Sequence, residues 1–163
     1  MSEGPPNSTR LETYFENYTF TETSHVRKDG DTIWIPEAYC SEGHALMRDD
    51  VRIDGRRAIH LLARRAGSDG PLGDLFLSPA LNDPRKLGVR LLEGEVTELH
   101  CPTCQASLRQ LTPCTCRVGA YVRAIYLTPD PNELGAVGVC ETWGCPRFFV
   151  TEGGELLYEL LVD

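Results

Sequence analysis

The stretch Glu95–Cys104, EVTELHCPTC, joins a strand-like pattern to a pair of closely spaced thiols. Polar and apolar residues alternate up to His100, which is typical of a β-strand. Cys101 and Cys104 then follow with the C-x2-C spacing of one arm of a tetrahedral zinc site. Pro102 favours a tight turn between them, in which backbone amides face the sulfur atoms. This stretch predicts a β-strand that ends in a metal-binding knuckle.

A second candidate arm lies earlier in the chain, in the stretch YCSEGHAL of residues 39–46. Cys40 is followed by His44 with three residues between them. Gly43 allows the backbone to turn tightly enough for the thiol and the imidazole to reach one ion. The pair therefore supplies two ligands, one of which is the only histidine in the predicted sites.

The remaining cysteines form two more short-range pairs, C-x-C and C-x4-C. Seven thiols and one imidazole divide into two sets of four, the ligand number of a structural zinc ion. An odd number of cysteines also argues against a disulfide framework. We expect two zinc ions per chain, with the metal ligands Cys40, His44, Cys101, Cys104, Cys114, Cys116, Cys140 and Cys145.

Spacing alone does not fix which pairs share an ion. We expect the sequential arrangement, in which the first two pairs hold one zinc and the last two hold the other. An interleaved arrangement would combine the first pair with the third and the second with the fourth. The sequential form makes residues 45–100 an insertion within the first site, which is tolerable because the entropy cost of closing a loop rises only logarithmically with length. His100 could also replace a neighbouring cysteine as a ligand.

The net charge of −8 argues against a nucleic-acid coat protein and against a polybasic membrane binder. One segment departs from this balance, because six arginines and only three aspartates lie between Arg48 and Arg65. These arginines form either a solvated face with intramolecular ion pairs or a site for an anionic ligand. The N-terminal residues lack the pattern of a secretory signal, and no apolar run is long enough to span a membrane, so we expect a cytoplasmic protein.

The patterning predicts a mainly β fold of near nine short strands. Residues 1–31 are expected to be a flexible or partner-docking leader, and residues 32–163 a single β-rich domain with two metal sites. Ala58–Ala63 and Asp74–Leu77 flank a glycine-rich turn region, which predicts a β-hairpin insertion, although Arg56–Arg65 could also form a helix. Glu155–Asp163 favours a strand over a helix with a leucine stripe.

The Cys101/Cys104 and Cys40/His44 arms resemble those of zinc-ribbon proteins. This resemblance implies zinc-ribbon-like β hairpins and a structural module, and it implies no substrate. Four-ligand sites leave no open position for water or substrate, and the sequence contains no phosphate-binding glycine loop, nucleophile elbow or zinc-protease helix. The lack of these motifs does not exclude an enzyme. The pattern nevertheless favours a chain that has no catalytic activity of its own.

We therefore expect a non-catalytic small subunit or accessory factor that acts through contacts with a larger protein subunit or in a homo-oligomer. Two alternatives stay open. An iron–sulfur cluster in place of zinc would make the chain a redox or electron-transfer protein. Alternatively, a zinc-ribbon regulator would bind nucleic acid through the Arg48–Arg65 segment.

Overall fold

The computed structural model describes residues 9–13, 24–30, 32–81, 83–130, 135–152 and 155–162. Within these ranges the chain forms thirteen β-strands and no helix. Their bounds are β1 Thr9–Thr13, β2 Arg27–Asp29, β3 Thr32–Trp34, β4 Met47–Ile53, β5 Arg56–Arg65, β6 Gly73–Leu77, β7 Lys86–Gly88, β8 Thr97–His100, β9 Gln110–Pro113, β10 Tyr121–Tyr126, β11 Ala136–Cys140, β12 Phe148–Glu152 and β13 Glu155–Val162.

The larger sheet is an antiparallel meander with an added edge strand. Its order is β1-β13-β12-β11-β10-β9, so that β9 to β13 follow one another in space as they do along the chain. Such consecutive antiparallel strands need only short connections. Strand β1 closes the opposite edge, where Leu11 pairs with Leu160 in the backbone ladder.

The second sheet is organised by β5, the longest strand of the described chain. Strand β4 pairs with the N-terminal half of β5 and β8 with its C-terminal half, while β6 pairs with its middle and β7 extends the sheet beyond β6. Strands β4 to β7 belong to the segment 45–100, and β8 brings the chain back to Cys101. A separate β2–β3 hairpin is attached through a bridge between Trp34 and Ala80.

One hydrophobic core connects the two large sheets. Its fully buried members come from β5 and β6 on one side and from β10, β11 and β12 on the other, and include Leu61, Leu75, Ile125, Val137 and Val150. Cys40 and Cys101 belong to the same cluster. One ligand of each of the first two predicted arms therefore lies in the core.

The mainly β prediction is confirmed, and so is the hairpin, because β5 and β6 pair antiparallel. The helical alternative for Arg56–Arg65 is wrong, since these residues form β5. The C-terminal strand is also confirmed as β13. Strand β9 begins at Gln110, and the preceding Ser107 forms only a single bridge with His100.

The strand count exceeds the expected nine because short or highly charged strands were missed. Strand β4 reads MRDDVRI and is an irregular edge strand, so its exposed positions carry charges. Strands β1 and β2 lie within the predicted leader of residues 1–31, where the polar composition gave no core pattern, yet both pair with other strands. The aromatic stretch Tyr14–Phe20 lies outside the described residues.

Candidate metal centres

The first group consists of Cys40, His44, Cys101 and Cys104. Their candidate ligand atoms all lie within 4.8 Å of one another. Two of the four residues, Cys40 and Cys101, are buried, whereas Cys104 is exposed. The four residues come from two chain segments separated by the second sheet, so the structure groups the pairs in the sequential way.

The Cys40/His44 arm is a tight turn fixed to the end of β10. The amide of Cys40 donates to the His44 carbonyl, and the Gly43 amide donates to the Cys40 carbonyl. Tyr39 and Tyr126 exchange two backbone hydrogen bonds of 2.8 and 2.9 Å. These contacts bring Cys40 Sγ to 3.4 Å from His44 Nδ1.

The Cys101/Cys104 arm follows β8 as the sequence predicted. The amide of Cys101 donates to the Ala106 carbonyl, and the amide of Gln105 donates back to the Cys101 carbonyl. Gln105 adopts a left-handed conformation with φ of 60°, which reverses the chain after Cys104. The Leu108 amide then donates to the Leu99 carbonyl, so the knuckle connects two antiparallel segments.

Backbone amides around the first group favour thiolate sulfur. The Glu42 amide donates to Cys40 Sγ and the Thr103 amide to Cys101 Sγ, each over 3.4 Å. A hydrogen bond from the Ala106 amide lowers the pKa of Cys104. Burial raises the pKa of Cys101, because the interior disfavours a charged sulfur. A divalent cation at the centre of the group would offset that cost.

The second group consists of Cys114, Cys116, Cys140 and Cys145, again within 4.8 Å of one another. Cys114 and Cys116 lie in the loop from β9 to β10, and Cys140 ends β11. Cys116 Sγ lies 3.6 Å from Cys140 Sγ, and Cys114 Sγ lies 3.9 Å from Cys145 Sγ. The loop that carries Cys145 turns at Gly144, where φ is 90°.

The second group is the more costly place for negative charge without a cation. The neighbouring Cys145 thiol and burial together raise the pKa of Cys140. Burial raises the pKa of Cys116 to about 11. Four thiols that share one small space cannot all ionise unless a positive charge binds among them. The donor set therefore fits a thiolate-binding metal ion.

The distances between ligand atoms also fit one tetrahedral ion in each group. With metal–sulfur bonds of about 2.3 Å and metal–nitrogen bonds of about 2.0 Å, tetrahedral geometry separates two sulfurs by about 3.8 Å, and a sulfur from a nitrogen by about 3.5 Å. The observed sulfur pairs in the second group lie at 3.6 and 3.9 Å. The observed sulfur–nitrogen pair in the first group lies at 3.4 Å. None of these sulfur pairs is a disulfide.

Two residues that sequence reasoning missed support the second group. The Thr142 hydroxyl lies 3.4 Å from Cys116 Sγ, and the Thr142 amide donates to Cys140 Sγ. Glu141 is only 4 % exposed, and its carboxylate accepts hydrogen bonds from Arg123 Nε and the Tyr121 amide. The sequence indicated these two residues only through their position, because both closely follow a candidate ligand.

The other described histidines lie outside both groups. Nδ1 of His100 lies 2.8 Å from the Gln105 carbonyl, and the other ring nitrogen faces Glu98, so the structure does not bring His100 in as a ligand. His60 is buried in β5, with Nε2 2.8 Å from Asp74, so it is a hydrogen-bonded core residue. His25 is exposed.

The arginine side chains of the Arg48–Arg65 segment contact other residues of the same chain. Each of its six guanidinium groups contacts a nearby group in the described structure: Arg48 with Asp50, Arg52 with the Gly55 carbonyl, Arg56 with Asp29, Arg57 with Glu37 and Asp49, Arg64 with Glu98, and Arg65 with Glu95. Five of the six therefore have a carboxylate partner, which matches the interpretation of intramolecular ion pairs.

Comparison of the chain with protein-family models, curated proteins and solved structures gives no match. The described residues contain no helix that is long and apolar enough to cross a membrane. The geometry of the two groups is thus the main evidence on function.

Proposed function

We propose that this chain is a non-catalytic protein with two structural zinc ions, and that it acts in the cytoplasm as a small subunit or accessory factor of a larger assembly. The observation that supports this most is the pair of four-residue cysteine and histidine groups, each with its ligand atoms close enough to share one ion. Both groups supply a full set of ligands, and a full set leaves no position for substrate.

The choice of zinc rests on the donor set and on the spacing of the sulfurs. Three cysteines with one histidine, and four cysteines, are both common ligand sets of structural zinc. In a [4Fe–4S] cluster each thiolate binds a different iron, and in a [2Fe–2S] cluster two pairs of thiolates bind two irons. Thiolates on different irons lie further apart than the 4.8 Å within which all four ligand atoms of the second group are found. The spacing therefore favours one ion per group over an iron–sulfur cluster.

The absence of catalysis is proposed from the electronic character of the ligands. Thiolates donate much electron density to the metal, so they weaken its ability to polarise a bound water or a carbonyl. Zinc in these groups would instead fix two loop regions. The first group fastens the Cys40 turn to the strand end at Cys101, and the second fastens the β9–β10 loop to the end of β11.

A zinc-ribbon-like arrangement is proposed for the first group. Strand β8 leads into the Cys101/Cys104 knuckle, and the chain returns antiparallel to it through the Leu108–Leu99 hydrogen bond. The second arm departs from a simple ribbon, because it is a C-x3-H turn fixed to β10 rather than a second C-x2-C knuckle. The likeness thus extends to one hairpin and its metal group.

A role through protein contacts is supported by exposed apolar side chains beside the second group. Val118 is fully exposed and Leu92 is 74 % exposed. Their loops are joined by a hydrogen bond from Arg117 to the Gly94 carbonyl. Nucleic-acid binding is less well supported, because the arginines of the basic segment face carboxylates of the same chain, and the net charge is −8.

The assembly role is tested by isolating a tagged chain from its native source under mild conditions and measuring the mass of the eluting species by light scattering. We expect a species larger than the 18.1 kDa chain. It should contain a constant number of partner subunits, or of copies of this chain, per tagged chain. Leu92→Asp combined with Val118→Asp should release the monomer while metal content stays unchanged, and exposed His25→Asp serves as the control. A stable monomer for the unmodified chain in its native extract would contradict the assembly role.

A further inference from the structure

A cavity of about 560 Å³ lies between the two large sheets, beside the second metal group. Protein interiors contain few voids larger than a water molecule, so a cavity of this size is not a packing defect. Its volume lies in the range of small-molecule binding sites, which is roughly 300–1,000 Å³. It is therefore a candidate for a ligand site outside the metal groups.

The walls of this cavity are mainly apolar and come from both sheets. They include Leu75 and Leu77 from β6, Ile125 from β10, Val137 and Val139 from β11, and Phe148 from β12. A ligand that fills this space must carry an apolar body, because a polar body would lose its hydrogen bonds to water without finding new partners. The walls thus exclude sugars and other highly hydroxylated ligands.

The charged residues that line the cavity are three acids and three bases. Most of them already have partners. Asp83 pairs with Arg85, the Glu141 carboxylate pairs with Arg123, and Arg147 donates to a backbone carbonyl. This balance disfavours a ligand with several negative charges, such as a polyphosphate.

Of these three bases, Lys86 alone lacks a carboxylate partner in the described structure, because Arg85 pairs with Asp83 and Arg147 with Glu159. Its Nζ lies 5.3 Å from the centroid of the Trp143 ring and 3.4 Å from the Pro84 carbonyl. Among the described residues no carboxylate lies within ion-pair distance of this nitrogen, and the Glu93 carboxylate and the Cys145 sulfur attract it only from further away. A half-buried ammonium with free donors next to an apolar cavity is suited to one anionic group.

We propose that this cavity binds a small amphipathic monocarboxylate. The carboxylate pairs with the Lys86 ammonium at the rim, beside the Trp143 ring, and the apolar body occupies the space between the sheets. Cys140 and Cys145 contribute to the same wall, so the site is intact only when the second metal group is. The zinc-loaded chain is the form to test.

The test is a calorimetric titration of the zinc-loaded protein with decanoate, and with decanol as the matched uncharged probe. We expect one decanoate per chain and much weaker binding of decanol. Lys86→Met keeps an unbranched side chain one atom shorter and removes the charge, so it should weaken decanoate binding by about tenfold or more, because charge-assisted hydrogen bonds are lost. Lys28→Met, the only other lysine position, is exposed on β2 and should change nothing.

Val139→Phe adds volume inside the cavity and should abolish binding of both probes. Zinc content and the thermal unfolding midpoint of each variant are measured alongside, so that a misfolded variant is recognised, and Lys86→Arg should retain affinity if charge is the cause. The absence of saturable decanoate binding would overturn the proposal. Equal affinity for decanoate in wild type and Lys86→Met, or equal binding of decanol and decanoate, would do so as well.

Discussion

At the scale of single residues, the candidate ligands share one local arrangement. A backbone amide two positions after the cysteine faces its sulfur in each of four cases: Glu42 with Cys40, Thr103 with Cys101, Ala106 with Cys104, and Thr142 with Cys140. Such amides spread negative charge away from the sulfur and orient it before an ion arrives. The backbone thus favours the thiolate form at these sulfurs, while burial at Cys101 and the Cys145 thiol at Cys140 keep the pKa of both raised until a cation binds.

Replacement of one ligand should remove one ion and most of the stability. We expect Cys101→Ser or Cys140→Ser to lose one zinc each, because a serine hydroxyl is a poor substitute for a thiolate. Structural zinc contributes about 10–16 kcal/mol of binding free energy, which equals or exceeds the roughly 5–15 kcal/mol that stabilises a typical domain. Metal analysis and urea unfolding measure both effects.

The matched control for these variants is His25→Ala, which alters an exposed histidine outside both groups and should keep both zinc ions. Retention of both ions in Cys101→Ser would refute the ligand assignment of the first group.

Gly43 should be intolerant of any side chain. Its φ is 86°, and a Cβ at this position would lie 2.9 Å from the Pro129 carbonyl oxygen. We expect Gly43→Ala to cost more than the about 1–2 kcal/mol of a left-handed non-glycine residue, because the contact adds to the strain. Gly30→Ala is the control, since Gly30 has φ of 60° and open space around it. If Gly43→Ala and Gly30→Ala lowered the free energy of unfolding in urea by the same amount, the Pro129 contact would have no energetic effect.

At the scale of elements, Glu141 is the junction between the two sheets. Its carbonyl accepts hydrogen bonds from the amide and the hydroxyl of Thr97 on β8. Its amide donates to the Tyr121 carbonyl on β10, and its side chain pairs with Arg123 at 2.9 Å. One residue therefore fastens β8, β10 and the end of β11 together, directly beside Cys140.

Loss of this carboxylate should destabilise the protein strongly. Glu141→Ala leaves the half-buried Arg123 without its partner, and removal of one member of a buried ion pair typically costs about 3–5 kcal/mol. We expect a reduced free energy of unfolding and weaker retention of the second zinc against a chelator. Glu155→Ala removes an exposed carboxylate on β13 and should have little effect. An unchanged unfolding midpoint in Glu141→Ala would contradict this role.

Sequence patterns predicted the elements whose core-facing positions alternate clearly. Strands β10 and β11 are apolar at the positions that pack between the sheets, so their own sequences contain the pattern of a buried strand. The irregular edge strand β4 was missed because it is rich in charged residues and contributes little to the core. Pairing along an edge depends on a neighbour that is distant in the chain, and a local pattern does not contain that information.

At the scale of the whole molecule, the residues of both metal groups could be predicted because thiols at short spacing are rare without a metal. Which pairs of residues share an ion could not be determined from the sequence, because this depends on how the second sheet folds between His44 and Cys101. The supporting residues Glu141 and Thr142, and the cavity between the sheets, depend on packing across both sheets. No local motif contains these features.

The effect of pH on stability should reverse when metal is removed. In the metal-free fold the pKa of Cys116 is raised from 9.0 to about 11 and that of Cys140 is also raised, so this fold holds protons that the unfolded chain releases. The metal-free free energy of unfolding should therefore be highest below about pH 9 and fall as the pH rises towards 11. The metal-loaded protein should gain stability with pH over the range in which protons compete with metal for thiolates.

Urea unfolding with and without a chelator, across roughly pH 6 to 11, measures both curves. Cys116→Ala should flatten the loss of stability in the metal-free curve. Parallel curves for the two forms would contradict the account of the second group as a thiolate site.

The central claim is that the chain binds two ions, one in each four-residue group. Native mass spectrometry of the protein, together with elemental analysis, measures this stoichiometry directly. We expect a mass equal to the chain plus two zinc ions, and loss of one ion in each of Cys101→Ser and Cys140→Ser. A folded protein that is purified without a chelator and carries no metal, or a coloured protein that contains iron in place of zinc, would contradict the claim.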